Sequence, residues 1–399
     1  MPTINPETID FIRTHRHDDV RTLALQASKY PQVDVNEALV QIAGRQIAEK
    51  KIPTWAQIDA IEYPKHLSME QCSSELTARY KATLTKGDTL TDLTAGFGVD
   101  FSFLAQHFNS AHYVERQEIL CELASHNFSV LGMEQAEVHC MDGIDYLKQM
   151  KPVDCLFLDP ARRDANGGKT VAIADCEPNV CALESLLLEK GKMVMIKLSP
   201  MLDMHSALND LKSIRELHIV SVNNECKELI LILRQGTDAK QPNNNEVMIH
   251  CEQVVNNAPS QHFKFMPSEE KAAVCTMAEH IGEYLYEPGA ALLKAGPYRL
   301  LGLRYNVEKL HPNSHLYTSN EPIDFPGRRF KVIGYSKFGK KELKAFMKDL
   351  EKANLTVRNF PATVAELRKK LKLKEGGDTY LFATTLNNGE KVLIKGFKY

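Results

Sequence analysis

Residues 92–100 read DLTAGFGVD. An acid closes a short apolar run, and Gly96 and Gly98 follow, where glycine lets the backbone pass close to a ligand. A dinucleotide fingerprint would add a third glycine at position 101 and seat a pyrophosphate on the helix terminus. This chain has Phe101 there, and Asp92 and Asp100 bring negative charge to the turn. That charge suits a ligand carrying an amine better than one carrying phosphates. Glu115 ends the next apolar run, 19 residues after Gly96. In a wound sheet a carboxylate at that place accepts both hydroxyls of a ribose. Asp142 ends the third run, where it would face an adenine ring. Each acid alone could simply cap the following helix. Three acids after three successive strands instead mark one edge of a sheet as a binding edge.

A second polar cluster stands at 157–164, FLDPARRD. Asp159 and Pro160 end an apolar run, and Arg162 and Arg163 follow. The arginines suit a phosphate or a base edge, or an ion pair with Asp159 or Asp164. Lys197 lies near the end of a later apolar run, in IKLSP. Cys155 falls inside a strand and reads as core, and Cys176, in ADCEPN, reads as a packed small side chain.

These residues need a sheet to hold them. DTLTDLTAG, SAHYVE, AEVHCMDG, VDCLFLD and KMVMIKLSP alternate with helical segments such as RQEILCELASHNFSVLG and CALESLLLEKG. Alternation of this kind predicts a mostly parallel sheet with helices on both faces and right-handed crossovers. ELHIVSVNNECKELILILRQG reads as two further strands. Before the sheet, residues 1–82 carry helical periodicity and no strand signal. NEALVQIAGRQIAEK (36–50) is the clearest helix, with Asp34 placed to cap it. After it, the polar GTDAKQPNNN marks a boundary near 236. Residues 237–324 form a mixed α/β region of ferredoxin-like type, in which SEEKAAVCTMAEHIG reads as a helix. Residues 325–399 read strand, helix, strand, helix and a hairpin turned at Asn387, Asn388 and Gly389. The expected domains are thus 1–82, 83–236, 237–324 and 325–399.

The totals exclude several classes. No stretch approaches about 18 apolar residues, so no membrane span is expected. The first twenty residues lack the apolar core of a signal peptide. Nine cysteines, an odd number without a Cys-x-x-Cys pair, predict neither a disulfide framework nor a zinc site, and no metal ligand is assigned. A reducing cytoplasm is the expected compartment. The net charge of −2 hides a division: residues 325–399 hold 18 Lys/Arg against 7 Asp/Glu. That surplus predicts a platform for a polyanion, nucleic acid being the obvious one.

The motifs together resemble class I S-adenosylmethionine-dependent methyltransferases. DLTAGFGVD is similar to their first motif, YVE to the second, CMDG to the third and FLDPARR to the fourth, over roughly residues 70–235. The whole chain resembles a bacterial methyltransferase family with a C-terminal THUMP-like domain, through ASKYPQVDVNEALVQIAGRQIAEKKIPTW, QCSSELTARYKA, YLYEPGAALLKAG and the basic last domain. The resemblance implies a Rossmann-like class I sheet, an N-terminal helical lobe and a small α/β THUMP-like domain. It implies S-adenosyl-L-methionine as cofactor, with Gly96 and Gly98 passing its amino-acid end and Asp92, Thr94 and Asp100 around its methionine part. Glu115 would hold the ribose and Asp142 the adenine amine. Glu75, in SSE, would close over the site from the helical lobe, or else stand as an exposed helix-start glutamate. THUMP domains are associated with structured RNA, so rRNA or tRNA is the implied partner.

For the reaction the resemblance points to Asp159, Pro160, Arg162 and Lys197. Amine-directed members carry Asn/Asp/Ser-Pro-Pro-aromatic at this strand end, and here Ala161 and Arg162 replace the last two. The leading expectation is methylation of a base nitrogen of RNA. Lys81, Asp159, Lys197 and Glu228 also resemble the Lys-Asp-Lys-Glu set of ribose 2′-O-methyltransferases, where a lysine helps generate the alkoxide. A protein or small-molecule substrate, and an inactive RNA-binding protein, are the remaining alternatives.

Overall fold

The computed structural model describes residues 4–162, 172–235, 246–256, 260–348 and 350–399. It resolves into two compact units, Met1–Leu217 with Glu228–Pro242, and His218–Lys227 with Asn243–Tyr399. The expected helical lobe and sheet domain fall together in the first, and the mixed region and basic domain in the second. Among the described residues no helix is long and apolar enough to cross a membrane.

The first unit opens with six helices: α1 (Pro6–His15), α2 (Val20–Leu25), α3 (Val35–Lys51), α4 (Pro53–Ala56), α5 (His66–Gln71) and α6 (Glu75–Thr83). Their starts are written in the sequence. Asn5, Asp19, Asp34 and Ser74 each accept a backbone N–H from the first turn of the helix they precede, Asp34 doing so for α3 as expected. Then β1 (Gly87–Asp92), α7 (Val99–Leu104), β2 (Phe108–Glu115), α8 (Glu118–Val130), β3 (Ala136–Cys140), α9 (Gly143–Gln149) and β4 (Val153–Leu158) alternate. A two-stranded ribbon of β5 (Ala161–Arg162) and β6 (Cys176–Glu177) comes next, followed by α10 (Val180–Lys190), β7 (Gly191–Leu198) and α11 (Met204–Asp210). The chain continues into β8 (Ile214–Val222) and β9 (Glu225–Arg234), whose hairpin end His218–Lys227 belongs to the second unit; Asn223 and Asn224 join them, both with positive φ, as a tight two-residue hairpin turn requires.

In this unit β9, β7, β4, β1, β2 and β3 lie side by side in that order. β7, β4, β1, β2 and β3 pair in parallel, and β9 runs antiparallel to β7. The C-terminal ends of β1, β4 and β7 therefore emerge at one sheet edge, which gathers Asp92, Asp159 and Lys197. The central strands are buried on both faces, with Leu90, Cys155, Leu156, Leu158, Val194, Met195 and Ile196 fully enclosed.

The helical lobe is fused to this sheet by a shared core. Trp55, Ile61, Tyr63, Met69 and Ala78 pack with Phe97, Val99 and Phe103. Trp55 meets Phe97 edge-on at 5.2 Å between ring centroids, a pair adding about 1 kcal/mol beyond its buried area. Phe97 sits between the two glycines of the turn. The lobe therefore braces the glycine turn directly, rather than forming a separate body over it.

In the second unit β10 (Met248–Val254) pairs antiparallel with β11 (Gln261–Phe265). The expected helix over 268–282 is only α12 (Pro267–Ala272). Beyond it Met277 makes a strand-like bridge to Lys309, and Ala278 N–H donates to the Lys309 carbonyl, so tertiary pairing overrides helix periodicity. The rest is β12 (Tyr284–Pro288), α13 (Ala290–Ala295), α14 (Tyr298–Tyr305), β13 (Glu308–Lys309), β14 (Tyr317–Ser319), β15 (Gly327–Lys337), α15 (Lys340–Phe346), β16 (Asn354–Arg358), α16 (Val364–Leu371), β17 (Thr379–Thr385) and β18 (Lys391–Lys398). Its strands order as β13-β14-β12-β15-β18-β17-β16 in one sheet. Glu287, only 1% exposed, is clamped by Arg328 and by Arg358 at 2.9 Å, joining β12, β15 and β16.

Candidate active site

The turn after β1 is built from backbone bonds to its neighbours. Leu93 N–H donates to the Phe157 carbonyl and Ala95 N–H to that of Val114, both across the sheet edge. Gly96 has φ +54° and Gly98 φ +85°, left-handed values that a side chain resists. The two glycines serve different purposes. A Cβ on Gly98 would lie 2.9 Å from Phe128 Cζ, so this glycine admits the close packing of α8. A Cβ on Gly96 would meet nothing nearer than the Thr94 carbonyl at 4.0 Å. Gly96 faces open space, the cradle for a ligand.

The acids around that space are already oriented. Glu115 is buried, and its two oxygens accept from Gly96 N–H and Gln117 N–H, each at 3.0 Å. Asp92 Oδ1 accepts from Thr94 N–H at 3.0 Å. Asp92 Oδ2 is buried without a hydrogen-bond partner among the described residues. Burial pushes the Asp92 carboxyl well above the usual aspartate range, and Asp100 and Asp159 add to that effect. The unpaired Asp92 oxygen can meet a polar ligand group. An open cradle, an unpartnered carboxyl oxygen and a fixed ribose-type carboxylate together fit the aminoacyl nucleoside that the motifs imply.

A second layer of polar groups lies beside this turn. Lys197 Nζ, on β7, reaches Asp159 Oδ2 at 2.6 Å, Ser73 Oγ at 3.1 Å and Asp100 Oδ2 at 3.2 Å. Lys81 Nζ, on α6, reaches Glu228 Oε1 at 2.6 Å, Asp100 Oδ1 at 3.1 Å and Ser73 Oγ at 3.3 Å. Ser73 Oγ donates to Asp100 Oδ2 at 2.6 Å. Asp100 is the centre: burial alone would raise it, but the two ammonium groups and Ser73 hold it down at about 2. Burial would pull Lys197 down, yet Asp159, Asp100 and Glu228 carry it well above the ordinary lysine range. These three carboxylates favour the charged form of Lys197. Burial pushes Glu228 up, with Lys81 opposing.

Within this network Asp159 alone faces outward, its side chain 38% exposed against 10% or less for Lys81, Asp100, Lys197 and Glu228. Its backbone N–H donates to Thr94 Oγ1 at 2.6 Å. Thr94 and Lys197 thus fix Asp159 from the cofactor turn and from β7. Pro160 beside it is buried. Arg162 lies on the β5–β6 ribbon, its backbone opposite Cys176. Its side chain and all of Arg163 lie outside the described residues.

Two expected cofactor residues are engaged elsewhere. Glu75 is buried rather than exposed. Its oxygens accept from Thr54 N–H and Oγ1 at 2.9 and 2.8 Å, and from Arg79 at 2.9 and 2.8 Å, so it ties α4 to α6 instead of closing over the cradle. Asp142 Oδ1 caps α9 through Ile144 and Asp145 N–H. Of the Lys-Asp-Lys-Glu set, all four groups enter one network, but as two pairs bridged by Asp100 and Ser73. Ser73 escaped sequence reasoning because a serine before a helix reads as a cap; the polar run SSE preceding α6 was its one signal. Cys155 and Cys176 are buried core residues, with the Cys155 thiol pushed up to about 12 by burial.

Comparisons with known proteins bear on the domains and the fold. Residues 284–326 match a ferredoxin-like domain model and residues 327–396 a THUMP domain-like model. A crystal structure from Porphyromonas gingivalis W83, described as a "putative methyltransferase", is 33% identical, with a TM-score of 0.87 over 98% of this chain and 97% of that one. Two Mycobacterium tuberculosis chains, from strains CDC 1551 and H37Rv, share 22% identity over 324 residues, 81% of this chain and 84% of theirs. Both carry the name "Uncharacterized S-adenosylmethionine-dependent methyltransferase".

Proposed function

The chain belongs to the S-adenosylmethionine-dependent methyltransferases that carry a THUMP-like domain, and we propose that within this family it methylates a base nitrogen of structured RNA, rRNA or tRNA. When bound, S-adenosylmethionine supplies a methyl group on a sulfonium, already activated for transfer. Gly96 would pass its amino-acid end, with Asp92, Thr94 and Asp100 near the methionine part. Glu115 would hold the ribose, and the open edge beside Asp142 would take the adenine.

The observation that carries the reading is Asp159. An exposed carboxylate stands at the rim of the cradle, fixed by Thr94 and Lys197. A ring amine is a weak nucleophile because its lone pair is spread into the ring. A carboxylate accepting its N–H localises that pair and can take up the proton. Lys197, 2.6 Å from Asp159 Oδ2, holds it in place. The ribose alternative asks a lysine to take a proton, and Lys197 is held charged while Lys81 is fully buried. The surplus of positive charge in residues 325–399 supports a polyanionic substrate over a small one. Nine free cysteines support a reducing cytoplasm.

The test is methyl-label transfer from S-adenosylmethionine to total RNA of a strain lacking the gene, followed by nucleoside mass spectrometry. An N-methylated base is expected. Label in protein would overturn the substrate, and a 2′-O-methyl nucleoside would overturn the atom. Asp159→Ala should lower kcat by about 100-fold or more at unchanged cofactor affinity.

A further inference from the structure

A histidine–carboxylate cluster lies in the first unit, mid-strand on β2 and β3. His112 stands opposite Glu137 in the parallel register, and His139 follows two residues after Glu137 on the same face. His112 Nδ1 and His139 Nε2 are 3.1 Å apart. Glu137 places one oxygen 3.4 Å from His112 Nδ1 and the other 3.6 Å from His139 Nε2. The two imidazoles are about a quarter exposed and the carboxylate is open to solvent, so an ion can enter.

We propose that His112, Glu137 and His139 form a binding site for a divalent transition metal, zinc being the best match. The spacing is the argument. Zinc bonds to nitrogen and oxygen of about 2.0–2.2 Å in a tetrahedron place neighbouring ligand atoms about 3.3–3.5 Å apart. The His112–His139 separation of 3.1 Å and the Glu137 Oε2–His112 separation of 3.4 Å lie close to that value, with the other Glu137 oxygen 3.6 Å from His139. Two imidazoles and one carboxylate are also the donor set of three-ligand zinc sites that keep an open fourth position. Hard oxygen-seeking ions such as magnesium prefer carboxylates and carbonyls over imidazole. The Tyr146 hydroxyl, 3.3 Å from His139 Nε2, lines the wall of the site from α9.

The position suggests the ion's role. β3 is the end strand of the sheet, and β2 is its single sheet neighbour. A metal joining His112 to Glu137 and His139 cross-links that edge strand to the sheet. β3 leads straight into Asp142, where the third motif begins, so the ion would brace this side of the cradle without taking part in transfer. Because it binds the folded state alone, it raises the stability of the first unit.

The full-length chain, freed of metal with a chelator, is dialysed against zinc and assayed for bound metal and for melting temperature. One zinc per chain and a raised melting temperature are expected. His112→Asn with His139→Asn should abolish both. Glu137→Ala, a change at an exposed residue that cannot itself unfold the chain, should weaken zinc binding by more than about 100-fold, beyond the 10–100-fold typical of losing an outer partner. Substituting His262→Ala, in the second unit, should leave the stoichiometry unchanged. Cobalt loading then reports the ligands: a tetrahedral spectrum without a thiolate charge-transfer band is expected. Equal zinc retention in the double variant, a thiolate band, or no retained zinc in the wild type would each overturn the proposal.

Discussion

Replacing Lys197 by methionine removes the cation that joins Asp100 to Asp159 and leaves the volume filled. Three contacts vanish together, to Asp159 at 2.6 Å, Ser73 at 3.1 Å and Asp100 at 3.2 Å. Breaking a buried charge pair by removing one partner costs about 3–5 kcal/mol. Here the lower end applies, because Asp100 keeps Lys81 and water reaches the exposed Asp159. A loss of about 3 kcal/mol is expected. The acid limb reports the same contacts. Against the upward push of burial, Lys81, Lys197 and Ser73 together hold Asp100 at about 2, where a free aspartate stands at 3.8. A depressed carboxylate contributes stability above its unfolded value and loses it as the pH falls through the folded one, so the loss runs from about pH 4 down towards 2. In Lys197→Met the Asp100 value should rise, with Lys81 still holding it part of the way down, and this part of the acid limb should become shallower.

The assay can be confined to the relevant unit. Trp55 is the sole tryptophan, 2% exposed, and packs on Phe97 of the glycine turn. Its fluorescence in urea therefore reports unfolding of the first unit rather than an average over the chain. With a slope of about 2–3 kcal/mol per molar urea, the midpoint should fall by roughly 1 M or more. A loss below about 1 kcal/mol, together with an unchanged acid limb, would refute the claim that Lys197 ties Asp159 to the Asp100-centred network.

Two further outcomes follow from the same geometry. Glu115→Gln should weaken S-adenosylmethionine binding by about 10–100-fold by calorimetry, the usual worth of a charged hydrogen-bond acceptor, since only a carboxylate accepts from two ribose hydroxyls while also holding Gly96 and Gln117 N–H. In the second unit, Lys369 is exposed on α16 and Lys374 just beyond it; changing both to glutamine should lower the slope of log affinity for RNA against log salt by about 1.4–1.8, and an unchanged slope would show that this face does not meet the phosphates.

The strand ends were legible because their chemistry is local. Asp92, Glu115, Asp142 and Asp159 each close an apolar run, and the parallel order places their strands side by side. What the sequence hid depends on register and on partners far along the chain. The resemblance names Lys81 and Glu228 together although they are 147 residues apart, but no local pattern reveals that Ser73 and Asp100, 27 apart, bridge that set. Glu75 misled for the opposite reason: its neighbour Thr54 comes from a different helix and consumes the carboxylate. The metal reading of the sequence rested on cysteine spacing, which is blind to the His112, Glu137 and His139 cluster that parallel pairing brings together. The short α12 shows tertiary bridging at Met277 overriding periodicity.

The acceptor atom itself can be read from pH. A ribose hydroxyl attacked through a lysine base needs that lysine neutral. Lys197 is held well above 10.5 by its three carboxylate neighbours despite burial, so its neutral fraction grows tenfold for each pH unit across the working range. A lysine-dependent rate would therefore climb about 100-fold between pH 7 and 9 under single-turnover conditions. A base amine oriented by Asp159 needs no neutral lysine, and its rate should stay flat over the same interval. The charge on Lys197 then helps rather than hinders, since the ion pair at 2.6 Å keeps the carboxylate aimed. Single-turnover methyl transfer measured at pH 7, 8 and 9 separates the two. A unit slope would place the reaction on a hydroxyl and assign Lys197 a proton-transfer role. A flat profile, lost in Asp159→Ala and retained in Glu137→Ala, would tie the chemistry to the rim carboxylate and keep the β2–β3 cluster out of it.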